Sequence, residues 1–234
     1  MLYFYAFFLG ILIPFIARRF GKFEASDPAK ALILSFHKPC FLFSAPVTAH
    51  TSLWQRKRRT LWFHAILLGI INLCCWSLIS LYFQPIYHVG LMAFCTLSLL
   101  LADIDSRWFI LPDVLTIPLI LFGFLFNTVT NFIPVETSLI GALYGYFMPS
   151  LCILLTYRFK KDCFGFGDIK MMTALGAWFG FINLTYIVFI SVISFALRSF
   201  ISGKKENAYG PDLTFASLCI LFYQIFVIKG LSFF

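Results

Sequence analysis

Apolar runs of roughly membrane-spanning length recur along this chain, and the stretches between them are short and carry the charge; few folds accept that pattern. Residues 2 to 17, Leu61 to about Phe83, Val89 to Leu101, Val114 to about Phe132, Leu139 to Tyr157, Met171 to about Leu184, Thr185 to Phe200 and Leu213 to Ile228 each read as one span. A hydrocarbon core about 30 Å thick takes about 20 helical residues to cross, and lipid offers the backbone no hydrogen-bond partner. The expectation is therefore an all-α polytopic membrane protein of about eight transmembrane helices. Pro118 is tolerable inside the fourth, because neighbouring helices can satisfy the carbonyl it frees.

Composition points to the same solvent. With 61% hydrophobic residues, 12% charged residues and a mean hydropathy of +0.90, the chain is far from soluble composition. Its 31 phenylalanines read as lipid-facing and packing surface and not as an aromatic binding site. Ala174, Gly176, Ala177 and Gly180 are small residues of the kind that let helices approach closely. The 7 cysteines lack Cys-x-x-Cys spacing and mostly lie in apolar segments, so they read as small hydrophobes, and a zinc site or disulfide framework has little support. His37, His50, His64 and His88 have no metal-ligand spacing and are given no role. Gly-x-Ser-x-Gly, His-Glu-x-x-His and Walker patterns do not occur, so serine hydrolase, zinc protease and nucleotidase readings have no starting point.

The net charge of +8 follows the membrane and gives no reason to expect nucleic acid. Arg18, Arg19, Lys22, Lys30, Lys38, Arg56 to Arg59, Arg107, Arg158, Lys160, Lys161, Lys170, Arg198, Lys204 and Lys205 fall on one side of an eight-span arrangement, and Lys229 on the other. The positive-inside rule makes the first side cytoplasmic, with both termini outside. The first run is followed by Arg18 and Arg19, not preceded by basic residues, so it reads as a retained helix and not a signal peptide. Three regions are expected: 1–20 as the first transmembrane helix, 21–60 as a small cytoplasmic segment interrupted at Pro39 and Pro46, and 61–234 as the main membrane domain. The basic run ending at Arg59 reads as a topological anchor that could also meet anionic lipid.

Against that background two acids stand out. Asp168 follows two glycines in Gly165-Phe166-Gly167-Asp168-Ile169-Lys170, and Asp105 precedes Leu111-Pro112-Asp113. Carboxylates bordering apolar spans are costly, so each asks for a function and a partner. The topology puts both on the cytoplasmic face, where they can meet. Two facing carboxylates cannot both ionise easily; one can act as general base on a water while the other, protonated, polarises a carbonyl. Gly165 and Gly167 would permit unusual backbone conformation and close approach to Asp168. A competing role for Asp168 is capping the helix that follows. Asp113, after Pro112, reads best as the cap of the fourth span, and Asp103 as a solvated or salt-bridged surface acid on a different helix face from Asp105.

Taken together, these motifs resemble those of the type 4 prepilin peptidases, a family of polytopic aspartic proteases. The first family motif is matched by Asp105, Leu111-Pro112-Asp113, Leu115-Thr116 and Pro118. Its second, Gly-x-Gly-Asp-x-Lys, is matched by Gly165 to Lys170, with Ala174-Leu175-Gly176-Ala177-Trp178 following; Tyr209-Gly210-Pro211 resembles a late Phe-Gly-Pro stretch. The resemblance covers residues 90 to 220 and implies Asp105 and Asp168 as the catalytic pair, with Gly165, Gly167, Lys170, Pro112 and Asp113 in support. It implies as substrate a prepilin of type IV pili, or a pseudopilin of type II secretion, cut after a leader Gly on the cytoplasmic face of the bacterial inner membrane, with no metal or cofactor needed. Bifunctional members carry two Cys-x-x-Cys pairs in the first cytoplasmic loop and methylate the new N-terminus. Here that loop holds only Cys40, so the zinc site is expected to be absent, and S-adenosylmethionine enters only if methylation is retained. Two other classes stay open: a different intramembrane aspartyl protease, and a non-enzymatic transporter or assembly component that uses the acids for proton or ion passage. Lipid is an expected partner, nucleic acid is not, and homo-oligomerisation is left open.

Overall fold

The computed structural model describes residues 2–23, 51–156, 165–203 and 207–231. Among these residues there are seven helices and no strand: α1 (Leu2–Phe23), α2 (Thr51–Tyr82), α3 (Pro85–Trp108), α4 (Asp113–Thr130), α5 (Val135–Thr156), α6 (Phe166–Ser202) and α7 (Gly210–Leu231). Five of the described stretches are long and apolar enough to cross a membrane, namely Thr60–Tyr82, Pro85–Trp108, Asp113–Thr130, Val135–Leu154 and Phe166–Ser202; Leu2–Arg18 is a shorter apolar helix. The described residues are thus all-helical, as in a multi-pass membrane protein. It divides into two compact units, Met1–Leu81 and Tyr82–Phe234.

In the first unit α1 and α2 meet through small residues and one buried polar bond. A Cβ built on Gly10 would lie 2.7 Å from the Gly69 Cα, so the two backbones nearly touch. Beside that contact the buried Asn72 Nδ2 donates to the Ala6 carbonyl at 2.8 Å. Helix α2 begins at Thr51 and not at Leu61, so Arg56 to Arg59 belong to a helix and not to a loop. The remainder of the expected cytoplasmic segment, residues 24–50 with Pro39, Cys40 and Pro46, lies outside the described residues, as do Cys163 and the basic residues Arg158, Lys160, Lys161, Lys204 and Lys205.

The second unit is built around α6. Glycines align along its contact with α5: a Cβ on Gly176 would sit 2.1 Å from the Gly141 carbonyl oxygen, and one on Gly145 would sit 2.4 Å from that of Met172. Close backbone approach is the main way helices gain packing in lipid, where no hydrophobic effect drives them together. On the other side Trp178 stacks with Phe126 and packs on Phe94, at centroid distances of 5.0 and 4.9 Å. Its indole N–H donates to the Leu119 carbonyl at 2.8 Å. Large side chains at Phe122, Phe147, Phe189 and Phe200 are exposed, as lipid-facing residues should be.

Helix α6 contains the main departure from the expected spans. The break comes at Gly180, with φ 76° and ψ 178°, and not between Leu184 and Thr185. That combination is open essentially to glycine alone. A break inside a membrane helix exposes carbonyls that must find donors. The Ala177 oxygen accepts both Asn127 Nδ2, at 2.8 Å, and Ser138 Oγ, at 2.5 Å, and both of these side chains are fully buried. At the boundary expected from sequence the helix instead continues, with Thr185 Oγ1 bonded back to the Phe181 carbonyl at 3.1 Å.

Candidate active site

Helix α3 runs to Trp108, well past Leu101, so Asp103, Asp105 and Arg107 sit on its last turns and not beyond its end. It stops because Phe109 turns left-handed, with φ 55°, and its N–H closes on the Asp105 carbonyl at 2.8 Å. This leaves Asp105 in the final turn, where the negative end of the helix dipole disfavours a carboxylate. Compensation comes from another helix. Asp105 Oδ2 accepts the backbone N–H of Gly210, the first residue of α7, at 2.8 Å, and Asp105 is buried. A Cβ on Gly210 would lie 2.7 Å from that same oxygen.

Asp168 has the opposite setting. It lies in the first turn of α6, with Gly165 as the N-cap and the Asp168 N–H bonded to the Gly165 carbonyl at 3.1 Å. Its Oδ2 reaches back to the Gly165 N–H at only 3.4 Å. The capping role weighed for Asp168 is therefore present but long, and the side chain is half-buried. Asp105 and Asp168 lie within electrostatic reach of each other.

The short segment between α3 and α4 fastens the two motifs together, residue by residue. Leu111 is buried against Gly167; a Cβ there would stand 2.9 Å from that of Leu111. Gly165 itself has ordinary extended angles, φ −77° and ψ 145°. What the glycine pair supplies is thus room for Leu111 beside Gly167, not unusual backbone at Gly165. Pro112 is the N-cap of α4, and its carbonyl accepts the Leu115 and Thr116 N–H groups at 3.0 and 3.1 Å. Asp113 is the first residue inside α4 and not its cap, contrary to the sequence reading; Lys170 holds its carboxylate, Nζ to Oδ1 at 2.5 Å. Capping loses because that salt bridge, across 57 residues, turns the carboxylate toward α6.

Asp103 is salt-bridged as expected, with Arg107 Nε 3.1 Å from both carboxylate oxygens, but it is buried and not on the surface. The i,i+4 spacing lets Arg107 follow it into the helix packing. Sequence reasoning noted Gly210 only as part of Tyr209-Gly210-Pro211, without a role, and missed Arg198 and Asp212, which form an ion pair at 2.5 Å within electrostatic reach of Asp105. Arg198 reads in sequence only as one more cytoplasmic charge. The available signal is a polar stripe of Ser191, Ser194 and Arg198 in an otherwise apolar run. Among the described residues no group of three or more His, Cys, Asp or Glu is placed to hold a metal ion.

Residues 92–200 match the model of the type IV leader peptidase family. Three relatives named prepilin leader peptidase/N-methyltransferase align with the chain. The protein of Dickeya chrysanthemi is 34% identical over 157 residues, covering 63% of this chain and 55% of the relative. That of Neisseria gonorrhoeae is 35% identical over 124 residues, 50% of this chain and 42% of the relative. That of Klebsiella pneumoniae is 38% identical over 93 residues, 39% and 41% of the two chains. The chain spans about half the length of the curated relatives it matches. No solved structure matches.

Proposed function

We propose, for a chain whose residues 92–200 match the model of the type IV leader peptidase family, an aspartic endopeptidase that removes the leader from type IV prepilins or type II secretion pseudopilins. The observation that carries this reading is that Asp105 and Asp168 lie within electrostatic reach of each other, on segments tied by Leu111 against Gly167 and Asp113 with Lys170. One carboxylate takes a proton from a water held between the pair; the other, protonated, donates to the oxygen of the scissile carbonyl. The water oxygen adds to the carbonyl carbon, and the C–N bond then breaks as the leaving amine takes up a proton. The two acids supply both the base and the acid, so the step calls for no metal or cofactor, and a chelator is expected to leave the rate unchanged.

Cleavage is assigned to the cytoplasmic face of a bacterial inner membrane, after the leader Gly. Support comes from the charge distribution, since Arg107 and Lys170 lie at the same helix ends as the acids, and Arg198, near the far end of α6, acts electrostatically on Asp105. The proposed topology has eight spans with both termini outside, counting α6 as two segments divided at Gly180, and a cytoplasmic segment at 21–60 ahead of a peptidase domain at 61–234. S-adenosylmethionine would serve only a separate methyl transfer, which the peptidase step does not require.

The test is co-expression with a prepilin, comparing wild type with Asp105→Asn and Asp168→Asn and reading the pilin N-terminus by mass spectrometry. A mature N-terminus directly after the leader Gly, lost in either variant, is the expected result, and its mass reports any methyl group. Cleavage that survives in either variant overturns the assignment.

A further inference from the structure

The first turn of α7 and the two residues before it are fastened to one face of the second half of α6. Ser191, Ser194 and Arg198 are spaced i, i+3 and i+7, so they share a helix face. The Ser191 hydroxyl bonds that of Tyr209 at 2.6 Å, and Ser194 Oγ donates to Asp212 Oδ1 at 2.8 Å. Arg198 Nη2 donates to Asp212 Oδ2 and to the Ala208 carbonyl. Asp212 is buried and has a donor on each oxygen. Two residues earlier in the chain, the Gly210 N–H is bonded to Asp105.

Burying the Asp212 carboxylate is costly even with Arg198 reaching it from the partly exposed side, and packing alone would be served as well by an apolar side chain of similar volume. What an ion pair adds is a fixed geometry. We propose that Arg198 and Asp212 form a latch that sets the amino end of α7 against Asp105, and that Gly210 is glycine so that its N–H can reach that carboxylate. The three are positioning residues. With Oδ2 held by Gly210, the Asp105 side chain has one orientation, and Oδ1 is left to face the reacting water. The positive end of α7 also offsets the unfavourable end of α3 on which Asp105 sits. The inference rests on Asp105 being half of the catalytic pair.

The test uses the purified full chain and a prepilin substrate, measuring kcat and KM per folded protein for Gly210→Ala, Arg198→Ala, Asp212→Asn and Arg198→Lys. Amide exchange of the peptide containing Gly210 is followed in parallel. Gly210→Ala should lower kcat about a hundredfold with KM within about twofold, the scale expected when a reacting group is displaced by about 1 Å. Its melting temperature should fall, because a Cβ 2.7 Å from the Asp105 carboxylate pushes the acceptor off the buried Gly210 N–H, which is why kcat is taken per folded protein. Arg198→Ala and Asp212→Asn should lower kcat about tenfold and speed exchange at Gly210, and Arg198→Lys should recover only part of both, because an ammonium keeps the charge but not the fixed guanidinium geometry. Wild-type kcat in Gly210→Ala, or unchanged kcat and exchange in both Arg198→Ala and Asp212→Asn, overturns the latch. Failure of the wild type to cleave would instead defeat the catalytic reading, so the two failures are told apart.

Discussion

Asp105 and Asp168 are chemically identical but are held in opposite ways. Asp105 closes a helix, is buried, and depends on another helix for its hydrogen bond. Asp168 opens a helix, is half-buried, and has only a long contact within its own first turn. A carboxylate at a helix start needs little help, because the local dipole favours it, whereas one at a helix end needs a donor brought from elsewhere. The pair is therefore asymmetric before substrate arrives: one acid is fixed by tertiary structure, the other by its own turn.

The largest expected effect treats the two alike. Asp105→Asn and Asp168→Asn should each cut the cleavage rate by about a thousandfold or more, since members of one catalytic unit are not additive. The asymmetry should show next, in stability. Asp105→Ala leaves the Gly210 N–H without its acceptor and should cost about 1–3 kcal/mol, whereas Asp168→Ala should stay within about 0.5 kcal/mol. Thermal unfolding in detergent checks both, and equal losses would break the comparison.

A third test acts on the Asp168 side alone. Gly167→Val would drive a side chain into Leu111 and should lower cleavage about tenfold through displacement of the turn that carries Asp168. Smallest is Lys170→Met. The ion pair with Asp113 is half-exposed on both sides, so its loss should cost no more than about 1 kcal/mol and slow cleavage about twofold. A loss as large as that of Gly167→Val would mean that Lys170 acts on the chemistry directly.

Which parts of this were legible in sequence follows from how local each signal is. Apolar length reports helices in lipid, and the two acids stand out because charge is rare around them. The Leu111-Pro112-Asp113 stretch was visible as a motif, but what each residue touches was not, since Gly167 and Lys170 lie more than 50 positions away. The capping of α4 by Asp113 was the local reading and lost to the long-range ion pair with Lys170. Arg198 and Asp212 were hidden for the same reason, because an arginine near a span end is what the positive-inside rule expects anyway. The break in α6 was placed a few residues late, because only contact with Thr137 and the donors at Asn127 and Ser138 singles out Gly180 among several small residues.

Those two donors have a consequence for how the chain is made. A straight 37-residue helix would extend about 55 Å, nearly twice a hydrocarbon core of about 30 Å. Interruption at Gly180 resolves that excess length, but only if the freed Ala177 carbonyl has partners. Asn127 and Ser138 precede it in the chain, so synthesis from the amino end delivers the donors to the membrane before the acceptor emerges from the ribosome. A nascent α6 that bends at Gly180 can thus meet both donors, on α4 and α5, already synthesised.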